Sequence, residues 1–89
     1  GENDMRKMNS FEKNEIEKEI KMILQYSVSD EYVNHILDDY DSKTGKTFLE
    51  AVIQDVVETS AWEEKGYYTD SDIRYAIGRE CITRMGINY

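Results

Sequence analysis

Apolar residues in this chain recur at intervals of three and four in four separate stretches. No stretch keeps the two-residue alternation of a half-buried strand, and proline is absent, so the pattern predicts helices throughout. The first predicted helix covers 10–26, with Ile16, Ile20, Ile23 and Leu24 as a narrow apolar stripe. Asn9 is placed to cap it, and Glu12 stands where a capping box needs a carboxylate. The second covers 30–40 behind a Ser29 cap, with Tyr32, Val33, Ile36, Leu37 and Tyr40 on one side.

The third helix has the strongest pattern. Thr47 and Glu50 form a second capping box, and Phe48, Leu49, Val52, Ile53, Val56 and Val57 make one apolar face. It is expected to run to Lys65 and to stop at Gly66, a natural left-handed position. Thr69 caps the fourth helix, with Asp72 at its third position. Ile73, Ile77, Cys81 and Met85 lie four apart along it, Gly86 ends it, and Ile87 is placed to fold back on it. The expected fold is therefore all-α: a compact four-helix domain over 10–89 with short turns. The third helix should be the most buried, with the fourth packed against it. Residues 1–9 read as a flexible polar arm. Met5 and Met8 are both candidate natural starts, which would make the residues before them an addition.

Size and charge narrow the picture. Eighty-nine residues make one domain with a modest core. The net charge is −8, and it is unevenly spread. Residues 1–72 hold 18 Asp/Glu against 8 Lys/Arg, whereas 73–89 hold Arg74, Arg79 and Arg84 against Glu80 alone. Such acidity disfavours direct binding to nucleic acid or to an anionic membrane and suits a protein partner with a basic surface. No apolar run is long enough to span a bilayer. A single cysteine excludes an intrachain disulfide, and a cytoplasmic location is the default expectation.

Several motifs fail on spacing. Thr44-Gly45-Lys46-Thr47 lacks the earlier glycine of a phosphate-binding loop, because that position is Tyr40. Asp39, Asp41 and Glu50 match three positions of a calcium loop, but Lys43 occupies a ligand position. His35 and Cys81 are the only residues of their kinds and too few for a zinc site; His35 reads as a surface residue and Cys81 as a core thiol. No cofactor, metal or catalytic residue is expected, and the chain is read as no enzyme.

What remains points to binding. In one continuous third helix, Trp62 projects away from the Val52/Ile53/Val56 face. It is then either a second-core residue under Tyr67 and Tyr68 or an exposed anchor beside Glu63 and Glu64. Asp38, Asp39 and Asp41 crowd the negative end of the second helix, which calls for a cation, with Lys43 and Lys46 nearby, or for a function. Glu12, Glu15 and Glu19 share a face of the first helix. Arg74, Arg79 and Arg84 are five apart, so they point in three directions and suit internal ties to carboxylates rather than one basic face. Gly78 suggests close approach of another helix.

The candidate partner-binding set is thus Trp62, Tyr67, Tyr68, Glu63, Glu64, Asp38, Asp39 and Asp41. The expected function is a small non-enzymatic module that inhibits or assists a target by covering its basic, nucleic-acid-binding surface. In that general character it is similar to bacteriocin immunity proteins and DNA-mimic inhibitors, a likeness of size and charge that no motif carries. A DNA mimic would need Glu12, Glu15, Glu19, Asp38, Asp39 and Asp41 lined up on one surface. The alternative is an oligomeric helical adaptor, such as a homodimer, with Trp62, Tyr67 and Tyr68 buried between subunits.

Overall fold

The computed structural model describes residues 8–85, and within them the side chains of Glu63, Lys65 and Met85 are not described. The elements are α1 (Ser10–Gln25), α2 (Asp30–Leu37), β1 (Tyr40–Asp41), β2 (Lys46–Thr47), α3 (Phe48–Thr59), α4 (Trp62–Lys65) and α5 (Asp70–Met85). The arm at 1–7 and the expected Gly86–Ile87 ending lie outside the described residues. Met8 belongs to the core, so packing begins before the expected end of the arm.

Local chemistry starts the helices where the sequence predicts. Asn9 and Glu12 form a reciprocal capping box, each backbone N–H donating to the other's side chain at 2.9 Å. Thr47 and Glu50 repeat it at α3, with distances of 2.9 and 3.2 Å. At α5 the Thr69 N–H and hydroxyl both donate to Asp72 Oδ2, and the Asp72 N–H returns to Thr69 Oγ1.

The ends differ from expectation in two places. The second helix stops at Leu37 and not at Tyr40, with Asp38 as its C-cap. The chain then forms a two-residue antiparallel ladder, Tyr40 opposite Thr47 and Asp41 opposite Lys46, which adds a small hairpin to the expected all-helical fold. Gly45 closes it with φ 74°, a conformation that favours glycine. Asp41 supplies the turn's other support, its Oδ1 accepting from the Lys43 N–H at 3.0 Å.

The third helix breaks at Ser60 and does not reach Lys65. Ser60 is extended, with φ −90° and ψ −174°, and its hydroxyl accepts the N–H of Trp62 at 3.0 Å. A separate turn, α4, follows and ends at Gly66 with φ 79°. This break re-aims Trp62, which is only 3% exposed and joins the core. Burying an indole is worth about 4 kcal/mol, enough to offset the few helical hydrogen bonds lost.

The core is Met8, Ile16, Ile20, Val33, Leu37, Phe48, Val52, Val56, Trp62, Ile73, Ala76 and Ile77. Helices α3 and α5 share the most extensive packing, followed equally by α1 against α5 and α3 against α4. Ala76 is fully buried although it lies off the expected Ile73/Ile77/Cys81 stripe. Gly78 serves no close approach, since a Cβ there would meet nothing within 4 Å.

Candidate functional site

The arginines of α5 act as ties. Arg79 forks onto Asp55 of α3, with Nε to Oδ2 at 2.8 Å and Nη2 to Oδ1 at 3.1 Å, and it also reaches the Thr59 hydroxyl. Arg84 reaches across to the chain leaving α2 and to the hairpin. Arg74 differs, because it pairs at 2.6 Å within its own helix, with Asp70. The hydrogen bond and charge of Asp70 raise the Arg74 pKa, with smaller contributions from Tyr26, which caps α1, and from Glu19 within it.

These ties account for much of the acidic crowding after α2. Asp39 pairs with Arg84 and Asp41 supports the hairpin turn, so the compensating cation is Arg84 rather than Lys43 or Lys46. Asp38 stays exposed at the helix end.

The carboxylates of α1 meet a different set of residues. Glu15, Glu19, Tyr68, Asp70 and Ile73 line a depression of about 260 Å³ where α1 meets the start of α5. Tyr68 leans against Trp62, ring centroids 6.1 Å apart and tilted by 46°. Its hydroxyl is pushed above its ordinary 10.0, first by burial and then by the charges of Glu15, Glu19 and Glu12. A negative field thus surrounds an aromatic floor. Tyr67 is exposed beside it in sequence, and so is Glu64; the Glu63 side chain is not among those described.

The six carboxylates named for a DNA mimic therefore divide. Glu12, Glu15 and Glu19 gather near the start of α5, and Asp39 and Asp41 gather near Arg84 toward its end, with Asp38 next to them in sequence. Asp70 and Arg84 are about 20 Å apart along the helix axis.

A second hollow, of about 560 Å³, lies between α2 and α5 and is lined by Tyr32, His35, Ile36, Asp39, Phe48, Cys81 and Arg84. It gathers a histidine, a tyrosine, a carboxylate and the thiol. The surroundings of the thiol run against its activation as a nucleophile. Burial, and then Glu80, push the Cys81 thiol above its ordinary 9.0, with Arg84 pulling the other way, whereas a nucleophile needs a lowered value. The Asp39 carboxylate is held by Arg84 at 3.0 Å. His35 contacts Tyr32 at 6.5 Å between ring centroids.

Of the eight residues named from sequence, the structure places Tyr68 in the acidic depression. Trp62 lies beneath Tyr68 in the core, which removes it as a surface anchor. Asp39 and Asp41 are engaged in holding the hairpin. The sequence reading missed Asp70 as part of the depression, and no periodic signal marks it, because its neighbours come from another helix. Among the described residues no group of three His, Cys, Asp or Glu is placed to hold a metal ion, and no helix is long and apolar enough to cross a membrane. No protein-family model, no curated protein and no solved structure matches this chain.

Proposed function

We propose that this chain is a non-enzymatic protein-binding module whose depression around Tyr68 receives a basic patch on its partner. The observation that carries this reading is the convergence of Glu12, Glu15, Glu19 and Asp70 on one partly buried aromatic ring. A lysine or arginine side chain entering there would meet carboxylates at its head and an aromatic face along its stem. Ile73 beneath supplies apolar contact. Inhibition of a nucleic-acid-binding target would follow if that patch were the target's own binding surface. The separation of the two acidic groups along α5 favours a compact basic patch over a long stretch of nucleic-acid mimicry.

The test is titration of the full chain with a lysine- and arginine-rich peptide, followed by amide chemical-shift changes. Shifts should centre on Glu15, Glu19, Tyr68 and Asp70 and weaken steeply with added salt. The combined Glu19→Gln and Asp70→Asn substitutions should lower affinity about tenfold, whereas Asp38→Asn should leave it unchanged. Equal losses from both, or shifts spread over the whole surface, would show only general attraction to an acidic protein.

A further inference from the structure

We infer that the outer face of α1 is a self-association surface, on which a second copy of this chain docks antiparallel about a two-fold axis. The inference rests on the register of that face and not on the basic-partner reading. Phe11, Glu15, Lys18 and Met22 follow the four-three-four spacing of a coiled-coil seam. Phe11, Lys18 and Met22 are exposed on the side of α1 opposite the fully buried Ile16 and Ile20, and half-exposed Glu15 stands at the edge of that face, beside the Tyr68 depression. Phe11 is 70% exposed, Met22 50% and Tyr26 85%, so the helix presents apolar groups at both ends of its solvent face. Between them Glu15 and Lys18 are 3.5 Å apart.

This arrangement is self-complementary in one orientation only. Phe11 and Met22 are equally distant from the midpoint between Ile16 and Glu17, and so are Glu15 and Lys18. A copy running antiparallel about that midpoint sets Phe11 against Met22 and Glu15 against Lys18, each twice by symmetry. Tyr26, one turn beyond Met22, covers the far side of the incoming Phe11. A parallel copy would oppose Glu15 to Glu15 and Lys18 to Lys18, so charge selects the antiparallel form.

The flanks permit the same geometry. Asn14 and Lys21 face one another on one side without conflict. On the other side Glu12 approaches Glu19, but the Glu12 carboxylate is turned back to the Asn9 N–H at 2.9 Å and Glu19 lies within the field of Arg74. The seam is about 16 Å long, and each copy carries a charge of −8, so the dimer is a weak one.

Sedimentation equilibrium at protein concentrations up to millimolar tests this directly. The wild type should show a reversible monomer–dimer equilibrium. Glu15→Lys and Lys18→Glu each place like charges across the seam and should weaken association about tenfold. An equimolar mixture of these two variants restores both opposite-charge pairs and should regain wild-type association. Phe11→Ser should weaken the dimer in every background. Circular dichroism and Trp62 fluorescence should show each variant folded, since Phe11 and Lys18 are exposed and Glu15 is half-exposed. A strictly monomeric wild type, or a mixture no tighter than its two components, would overturn the inference.

Discussion

Arg84 and Asp39, 45 positions apart in sequence, are joined twice by a single nitrogen. Arg84 Nη1 donates to the Asp39 carbonyl oxygen at 2.9 Å and to its carboxylate at 3.0 Å. The same carbonyl accepts the Phe48 N–H at 2.9 Å. Arg84 Nη2 donates to the Lys46 carbonyl at 3.1 Å, and Nε donates to Glu80 at 2.7 Å. The guanidinium lies 5.7 Å from the centre of the Phe48 ring, and its side chain is only 11% exposed. One side chain thus closes the end of α2, the hairpin and the start of α3 onto α5.

Arg84→Met keeps an apolar stem and deletes these hydrogen bonds, leaving polar groups of the hairpin and of Glu80 without their partner. The expected loss is about 2–3 kcal/mol, measured by urea unfolding. Arg84→Lys should recover less than half of it, because an ammonium with three donors cannot fork to two carbonyls and two carboxylates at once. Full recovery by lysine would show that charge alone matters there.

Trp62 is the only tryptophan, so intrinsic fluorescence reports on the core. Native emission should be blue-shifted and move to the red on unfolding. Trp62→Ala should cost about 3–5 kcal/mol, a large share of a small domain's stability. Trp62→Phe should cost less and stay folded by circular dichroism. A red-shifted native spectrum would contradict the burial of Trp62.

Gly78 sits in the middle of α5 with open space where a side chain would project. Gly78→Ala should therefore stabilise the protein by about 0.5–1 kcal/mol, through helix propensity and a less flexible unfolded chain. Thermal unfolding followed by circular dichroism measures this. A lower melting temperature would mean that Gly78 is needed for something that the packing does not show.

Tyr68 and Cys81 should contribute an alkaline limit to stability. Both have their pKa raised in the fold, mainly by burial, from 10.0 and 9.0 respectively. The unfolded chain releases each proton at a lower pH than the folded one. Their contribution to stability is then complete below about pH 9 and is lost as pH rises through the unfolded values toward the folded ones. Urea midpoints measured from about pH 8 to about pH 11 should fall, and Tyr68→Phe with Cys81→Ala should flatten that decline relative to the wild type. An unchanged slope in the double variant would assign the limit to other groups.

The caps and apolar stripes were legible in the sequence because they depend on residues three and four apart. Asn9 with Glu12, Thr47 with Glu50 and Thr69 with Asp72 satisfy helix-end donors locally, whatever the rest of the chain does. Their starts follow from residue type alone, and so does the stop of α4 at Gly66. Tertiary structure decided the rest. A helix continuing through Ser60 keeps more local hydrogen bonds, and it is the burial of Trp62 against Tyr68 that offsets their loss and selects the break. Asp39 looked like part of a candidate surface with Asp38 and Asp41 because its cation, Arg84, is contributed from 45 positions away. The depression at Tyr68 depends likewise on Glu15 and Glu19 meeting Asp70 across a helix crossing, a proximity that no spacing along the chain encodes.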